Sequence, residues 1–258
     1  MTRLRRFAVE WLPAMLILVL GLVAWELAVQ AFGIQKFLLP KPSEIAAAFW
    51  DQRSILWPAD WYTFTEAFWG FVVGVSAGIA AALVLARFRP LGSALMPYFV
   101  AASAIPIIAF APIMNAWFDP FSKGSKMAIA AVLCFFPVLV NTLRGLTSVR
   151  PESVELMRSY GAGELETFRR VRIPTALPFI FTSLKIATVL AMIGAIVGEY
   201  FGGDFNALGV LINSRSATFA FEEAWAGIGV ACAFGIAFYL AVAGVERLAL
   251  RNGPSTGD

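Results

Sequence analysis

Pro151, Glu152 and Glu155 open, and Gly161 and Gly163 close, a charged segment whose residue types suit holding a partner rather than breaking bonds. Proline fits the first turn of a helix, where its missing N–H is not needed, acids there meet the positive end of the helix dipole, and glycine ends the helix. Glu164 and Glu166 then start a second short helix carrying Arg169, Arg170 and Arg172 at its end, and Pro174 with Pro178 is expected to close it. On pattern alone Glu155 reads as a solvated charge on a surface helix and Gly161 as a plain cap.

Catalytic chemistry is poorly supplied. The chain has no histidine, which removes Ser-His and Cys-His pairs, His-ligated metals and His proton relays. Its two cysteines, Cys134 and Cys232, lie in apolar stretches and read as small buried hydrophobes. No G-x-x-x-x-G-K-[ST] loop is present; the nearest string, Ser122-Lys123-Gly124-Ser125, has the wrong order and spacing. The chain is therefore expected to be no enzyme, to bind no cofactor or metal, and to have no nucleic-acid partner.

The elements that position the charged segment follow from composition. Of 258 residues, 59% are hydrophobic and 14% charged, with mean hydropathy +0.75 and net charge +3. Soluble domains average about 45–50% apolar and 25% charged, so the chain is a polytopic membrane protein. Apolar runs place six spanning helices at 12–32, 64–86, 94–117, 127–143, 179–197 and 224–245. A transmembrane domain 12–248 is thus flanked by a cytoplasmic segment 1–11 and a tail 249–258, with the charged loop at 144–178. Thirteen of the twenty Lys and Arg residues fall on the side of the termini and six on the other, with Lys185 inside a span. By the positive-inside rule the termini and the 144–178 loop are cytoplasmic.

Two features concern packing and passage. Gly70, Gly74, Gly78 and Ala82 recur every fourth residue, giving one helix a groove of small residues that serves close packing within a subunit or a dimer seam. Gly227, Ala231 and Gly235 repeat the pattern. Pro97, Pro106 and Pro112 interrupt the third span, and backbone freed of hydrogen bonds at membrane depth is tolerated against protein or a water-lined route. Candidates for a translocation path are therefore Pro106, the polar residues Ser103, Asn115, Asn141, Ser183 and Thr188, and Lys185, Met192 and Glu199. Lys185 is close enough to the cytoplasmic end to snorkel, and Glu26 and Glu199 read as interfacial.

Glu155, five residues, Gly161, nine residues, then Val171-Arg172-Ile173-Pro174 resembles the EAA loop of ATP-binding-cassette importer permeases. That loop runs Glu-Ala-Ala, three residues, Gly, nine residues, Ile-x-Leu-Pro; here Leu156-Met157 replaces Ala-Ala, and Val171 and Ile173 replace Ile and Leu. Glu155-Leu-Met-Arg158-Ser-Tyr160-Gly161-Ala162-Gly163 is similar to the version in the nitrate, sulfonate and taurine branch. So are Leu39-Pro40-Lys41-Pro42-Ser43, Ile105-Pro106 with Ala111-Pro112, and Gly198-Glu199.

The resemblance implies an all-α, six-span permease of the type I importer kind, in the inner (plasma) membrane of a prokaryote. Glu152, Glu155, Arg158, Tyr160, Gly161, Ala162 and Gly163 would form the coupling helix and its turn, seated in a groove on a separate ATPase. Implied partners are two ABC ATPase subunits, which use the ATP and Mg, a second permease copy, an extracytoplasmic substrate-binding protein and membrane lipid. The outer segments 33–63 and 200–223 are expected to receive the binding protein. The substrate class is a small organic solute, sulfonate-, taurine- or nitrate-like, or a pyrimidine or vitamin precursor. A gradient-driven carrier or channel is the alternative, and it usually places carboxylates or histidines at the membrane centre.

Overall fold

The computed structural model describes residues 3–250, and among them every regular element is helical. Helix α1 spans Arg3–Ala31, α2 Pro42–Arg87, α3 Arg89–Ala102, α4 Ile107–Phe118 and α5 Lys123–Thr147. After α6 at Pro151–Ser159 and α7 at Glu164–Thr167, a π turn at Phe168–Arg172 leads into α8, Ile173–Tyr200. Helices α9, Leu208–Ala217, and α10, Phe221–Leu250, complete the chain. Of the expected tail, residues 251–258 lie outside the described residues.

Four helical stretches are long and apolar enough to cross a bilayer: Pro42–Arg87, Lys123–Thr147, Glu164–Tyr200 and Phe221–Leu250. The expected third span is broken, with α3 and α4 meeting at 94° and passing the same test only as a pair. Met15–Ala31 is a shorter apolar helical stretch where the first span was expected.

The expected segment 33–63 is largely the first half of α2 rather than a loop. Acid in the first turn explains its start: Glu44 accepts a hydrogen bond from the Lys41 backbone N–H at 3.2 Å, a side-chain reach-back that satisfies a donor at the helix N-terminus. The two prolines expected to end the helix before the fifth span do not end it. Pro174 sits in the first turn of α8, where no N–H is required, and Pro178 lies inside the helix. The wider hydrogen-bond spacing of the preceding π turn lets the chain run on from α7 without a break. In the third span the break falls at Pro106, which caps α4 with φ −63° and ψ 118°, while Pro97 and Pro112 stay inside their helices.

The chain divides into two compact units, Met1–Pro58 with Leu211–Val230, and Ala59–Val210 with Ala231–Asp258. In the first, Ser43 donates to the Glu26 carboxylate through its N–H at 3.0 Å and its hydroxyl at 2.7 Å, so Glu26 is spent holding the entry to α2. Lys36 pairs with Glu44 at 3.2 Å, Arg215 with Glu223 at 3.0 Å, and Trp25 meets Trp225 edge to face at 5.4 Å.

The second unit has a core of small side chains. Ala67, Val75, Ala130, Cys134, Ala187, Ala191 and Ala195 cluster where α2, α5 and α8 converge, with Val138 and Met192 filling between them. A Cβ built on Gly70 would fall 2.7 Å from the Met127 carbonyl oxygen, and one on Gly78 would fall 2.9 Å from that of Phe135. The first glycine stripe is thus the α2 face of an intrachain contact with α5, the packing role rather than the dimer seam. Gly235 of the second stripe faces only Met192, at 3.9 Å. Large apolar side chains outside these contacts, such as Ile108, Ile236 and Leu240, are exposed, as a lipid-facing surface requires.

Candidate functional site

The connection between α5 and α8 carries the first candidate. Pro151 stands in the first turn of α6 and Glu152 beside it, the positions that helix geometry and dipole favour. None of the α6 residues is buried. Ser153, Val154 and Met157 are half-buried, whereas Glu152, Glu155, Leu156, Ser159 and Tyr160 are exposed, so one stripe of the helix presents carboxylates together with apolar and aromatic surface. Leu156 is 56% exposed, Tyr160 78% and Leu165 on α7 82%, values unusual for such side chains unless something covers them.

The turn after α6 is a Schellman motif. Gly161 has φ +75°, its N–H bonds the Arg158 carbonyl at 2.9 Å, and the Ala162 N–H reaches the Met157 carbonyl at 3.0 Å. Gly163 then begins α7 in extended conformation, its carbonyl accepting from the Thr167 N–H at 3.0 Å and hydroxyl at 3.1 Å. An ion pair of 3.1 Å between Arg87, at the end of α2, and Glu164 ties the loop to a spanning helix. The sequence-derived coupling residues Glu152, Glu155, Arg158, Tyr160, Gly161, Ala162 and Gly163 therefore form one continuous helix and cap.

The candidate path residues are scattered by comparison. Asn115 is buried, donates to the Gly198 carbonyl at 3.2 Å and accepts from the Ser125 hydroxyl at 2.7 Å. Asn141, Ser183 and Thr188 each donate to a carbonyl of their own helix, and Met192 fills the core. Lys185 makes a 2.7 Å ion pair with Glu246 of α10, where snorkelling was expected. Ser103 and Pro106 lie at the α3–α4 break, where a small apolar pocket is walled by Ile107, Phe110, Phe136 and Leu190.

Glu199 belongs to a buried polar knot that sequence reading missed. Its carboxylate accepts from the Thr63 hydroxyl at 2.7 Å and from the Gly209 N–H at 2.6 Å, and Thr63 Oγ1 in turn accepts from the Leu208 N–H at 3.0 Å. These are the first two N–H groups of α9, so α2 and α8 together cap that helix, and the carboxylate faces the positive end of its dipole. Asp60, Glu66 and Lys126 are buried nearby; Lys126 Nζ donates to the Pro120 and Ser122 carbonyls, and the field of Glu199 acts on both acids. The available signal was Glu66 itself, an ionisable residue inside the 64–86 apolar run. Among the described residues no group of acids and cysteines could hold a metal ion.

Replacing Glu199 by Ala should lower the thermal unfolding midpoint of the detergent-purified chain by several degrees. It strands the Gly209 N–H, at about 1–3 kcal/mol, and empties a filled site. Glu199→Gln keeps one oxygen for the Gly209 N–H and turns its amide toward Thr63, whose hydroxyl retains the Ala59 carbonyl at 3.2 Å as acceptor, and should melt closer to wild type than the Ala variant. Equal midpoints for wild type and the Ala variant would show that the knot carries no stability.

The described residues thus hold several helices long and apolar enough to cross a membrane, one proline-broken pair and a glycine-capped helix exposed between two of them, the features of a multi-pass membrane protein. The chain belongs to the binding-protein-dependent transport system inner membrane component family, which matches residues 74–251. It is 33% identical to the riboflavin transport system permease protein RibX of Chloroflexus aurantiacus, over 96% of this chain and 92% of that one. With the formylaminopyrimidine transport permease protein ThiX of Halalkalibacterium halodurans it shares 34% identity, over 92% and 94%. The putative aliphatic sulfonates transport permease protein SsuC of Escherichia coli is 27% identical over 76% and 75%. Among solved structures, that of an amino acid ABC transporter with histidines superposes with a TM-score of 0.59 at 19% identity, covering 78% of this chain and 95% of that one, a likeness of fold.

Proposed function

We propose that this chain is the membrane subunit of an ATP-driven importer, working as a homodimer with two ATPase subunits on the cytoplasmic side and one binding protein outside. Helix α6 seats in a groove on the ATPase, with Glu155 as its charged anchor, Leu156 and Tyr160 as apolar contacts and Gly161 as the turn by which the chain leaves. ATP-driven closure of the ATPase pair moves the two α6 helices as rigid levers and reorients the bundle. The observation that carries this reading is the uncovered stripe of α6, acidic and apolar, in a family of transport permeases.

The positive-inside count supports cytoplasmic termini and a cytoplasmic α6, and the bacterial sources of its relatives support residence in a prokaryotic plasma membrane. The solute is small and organic; two relatives at about one third identity carry the names of riboflavin and a formylaminopyrimidine, which favours a pyrimidine-ring or vitamin-precursor cargo over a sulfonate. The path by which it crosses runs past the α3–α4 break at Ser103 and Pro106. A gradient-driven carrier would need titrating intramembrane carboxylates; Glu199 is engaged by Thr63 and Gly209 while Asp60 and Glu66 are buried beside it, so it is uptake that persists without the ATPase that would favour this rival.

The test is purification of the tagged permease from its native membrane in mild detergent, with co-purifying chains counted. A P-loop ATPase in equal amount is the expected result. A folded, monodisperse permease without any ATPase, coupled with uptake that persists when the ATPase is absent, would overturn the reading in favour of gradient-driven transport.

A further inference from the structure

Four ionisable side chains of the second unit, Asp60, Glu66, Lys126 and Glu199, are each no more than 1% exposed, so bulk water reaches none of them. With every group ionised, three carboxylates would face one ammonium, an excess of two buried negative charges and one of the costliest arrangements a fold can hold. Charges farther out do not correct the balance. Lys123, with its Nζ 3.7 Å over the Tyr62 ring and bonded to Thr65 Oγ1 at 3.1 Å, is opposed by Asp119 and Asp204, whose fields reach Lys126 and Tyr62. The acids are not disposed to share a metal ion.

Hydrogen-bond logic says where a compensating charge sits. A side-chain hydrogen bond joins Glu66 to Glu199, and an ionised carboxylate has acceptors only, so that bond exists only when one of the two carries a proton. Glu199 already accepts from the Thr63 hydroxyl at 2.7 Å and from the Gly209 N–H at 2.6 Å, the partners of an anion. Glu66 has no such partners, and its Oε2 is buried without any; an orphaned oxygen costs less on a neutral acid than on a charged one.

We propose that Glu66 is a proton-binding site, its hydrogen ion held in the bond to Glu199. The bound proton is then the third tie on Glu199, after Thr63 and Gly209, and it fastens α2 to α8 at the start of α9. Without it two anions would stand side by side in a space closed to water, and Glu199 would be driven off the helix it caps. The binding does not depend on how transport is powered.

The test is infrared spectroscopy of the full-length permease, purified in detergent at neutral pH, wild type against Glu66→Gln. A protonated carboxylic acid absorbs through its C=O stretch, apart from the carboxylate bands. Wild type is expected to show this band and to shift it when its glutamates carry carbon-13, which separates Glu66 from Asp60; Glu66→Gln should lose about half of it or more. Glu66→Gln offers Glu199 an amide N–H in place of the O–H and should melt close to wild type, whereas Glu66→Ala offers no donor and should melt lower. Were Glu66 an anion paired with Lys126, the Gln variant would strip a buried ammonium of its partner and melt as low as the Ala variant. A wild-type spectrum without a label-sensitive acid band, a band undiminished in Glu66→Gln, or a Gln variant that unfolds with the Ala variant would overturn the proposal.

Discussion

Gly74→Val should yield no folded protein, and even Gly74→Ala should cost most of the monodisperse yield. A Cβ built on Gly74 falls 2.2 Å from the carbonyl oxygen of Ala131 and 2.9 Å from its Cα, so the obstacle is the backbone of α5, which no rotamer change can clear. Overpacking a core that adjusts through side chains costs about 1–3 kcal/mol. Here the two helices must separate instead, and the contacts made by Gly70 and Gly78 one turn to either side are lost with them. Gly235→Ala is the control: its nearest neighbour is Met192 Cγ at 3.9 Å, and alanine is favoured over glycine inside a helix by about 1 kcal/mol. Size-exclusion profiles and melting curves in detergent should therefore show collapse at Gly74 and no loss at Gly235. A Gly74→Val chain that elutes and melts as wild type would mean that α2 and α5 do not pack in this register.

That stripe was legible because close approach of helices demands small residues at every fourth position, a demand written in residue identity. Position 106 was legible for a similar reason, since proline removes a donor and pushes the preceding residue out of helical conformation. Identical chemistry misled at Pro174 and Pro178, where the outcome depends on where helix α8 begins and on a π turn that residue types do not announce. The stretch 33–63 misled through its charge: Glu44, Asp51, Arg53 and Asp60 look like loop residues, but they lie within a 46-residue helix. Charged residues mark the end of an apolar run, not the end of a helix.

The helix, cap and turn of the loop were readable in the sequence, and the surroundings of the polar residues named for a path were not. Glu155 to Gly163 is a local motif, and local geometry follows from local sequence. A route through the bundle depends on which faces of distant helices meet, so polar residues chosen by type alone turned out to be bonded within their own helix, as are Asn141, Ser183 and Thr188. The buried knot was hidden for the same reason: Thr63, Glu199 and Gly209 are brought together only by the packing of α2, α8 and α9.

Gly161→Val should abolish transport and ATPase co-purification while leaving the membrane bundle folded. The φ of +75° is forbidding to a β-branched residue and costs about 1–2 kcal/mol for any L side chain. A Cβ at Gly161 would meet nothing within 4 Å, so crowding plays no part and the whole effect comes from backbone conformation. The variant must surrender φ and with it the bonds from Gly161 to Arg158 and from Ala162 to Met157, which unravels the end of α6 beneath Tyr160. Gly161→Asn, which tolerates the left-handed region, should retain most activity, and Gly163→Ala, at φ −72° with open space around it, should be neutral. Glu155→Ala leaves the helix intact but removes the proposed charged anchor, an expected loss of about 1.5–3 kcal/mol, or roughly tenfold to a hundredfold in ATPase affinity. Uptake into vesicles read beside co-purified ATPase separates the two routes, because the valine variant changes the shape of the lever and the alanine variant only its grip. Normal uptake with both would remove α6 from the coupling path and leave its exposed stripe to another partner.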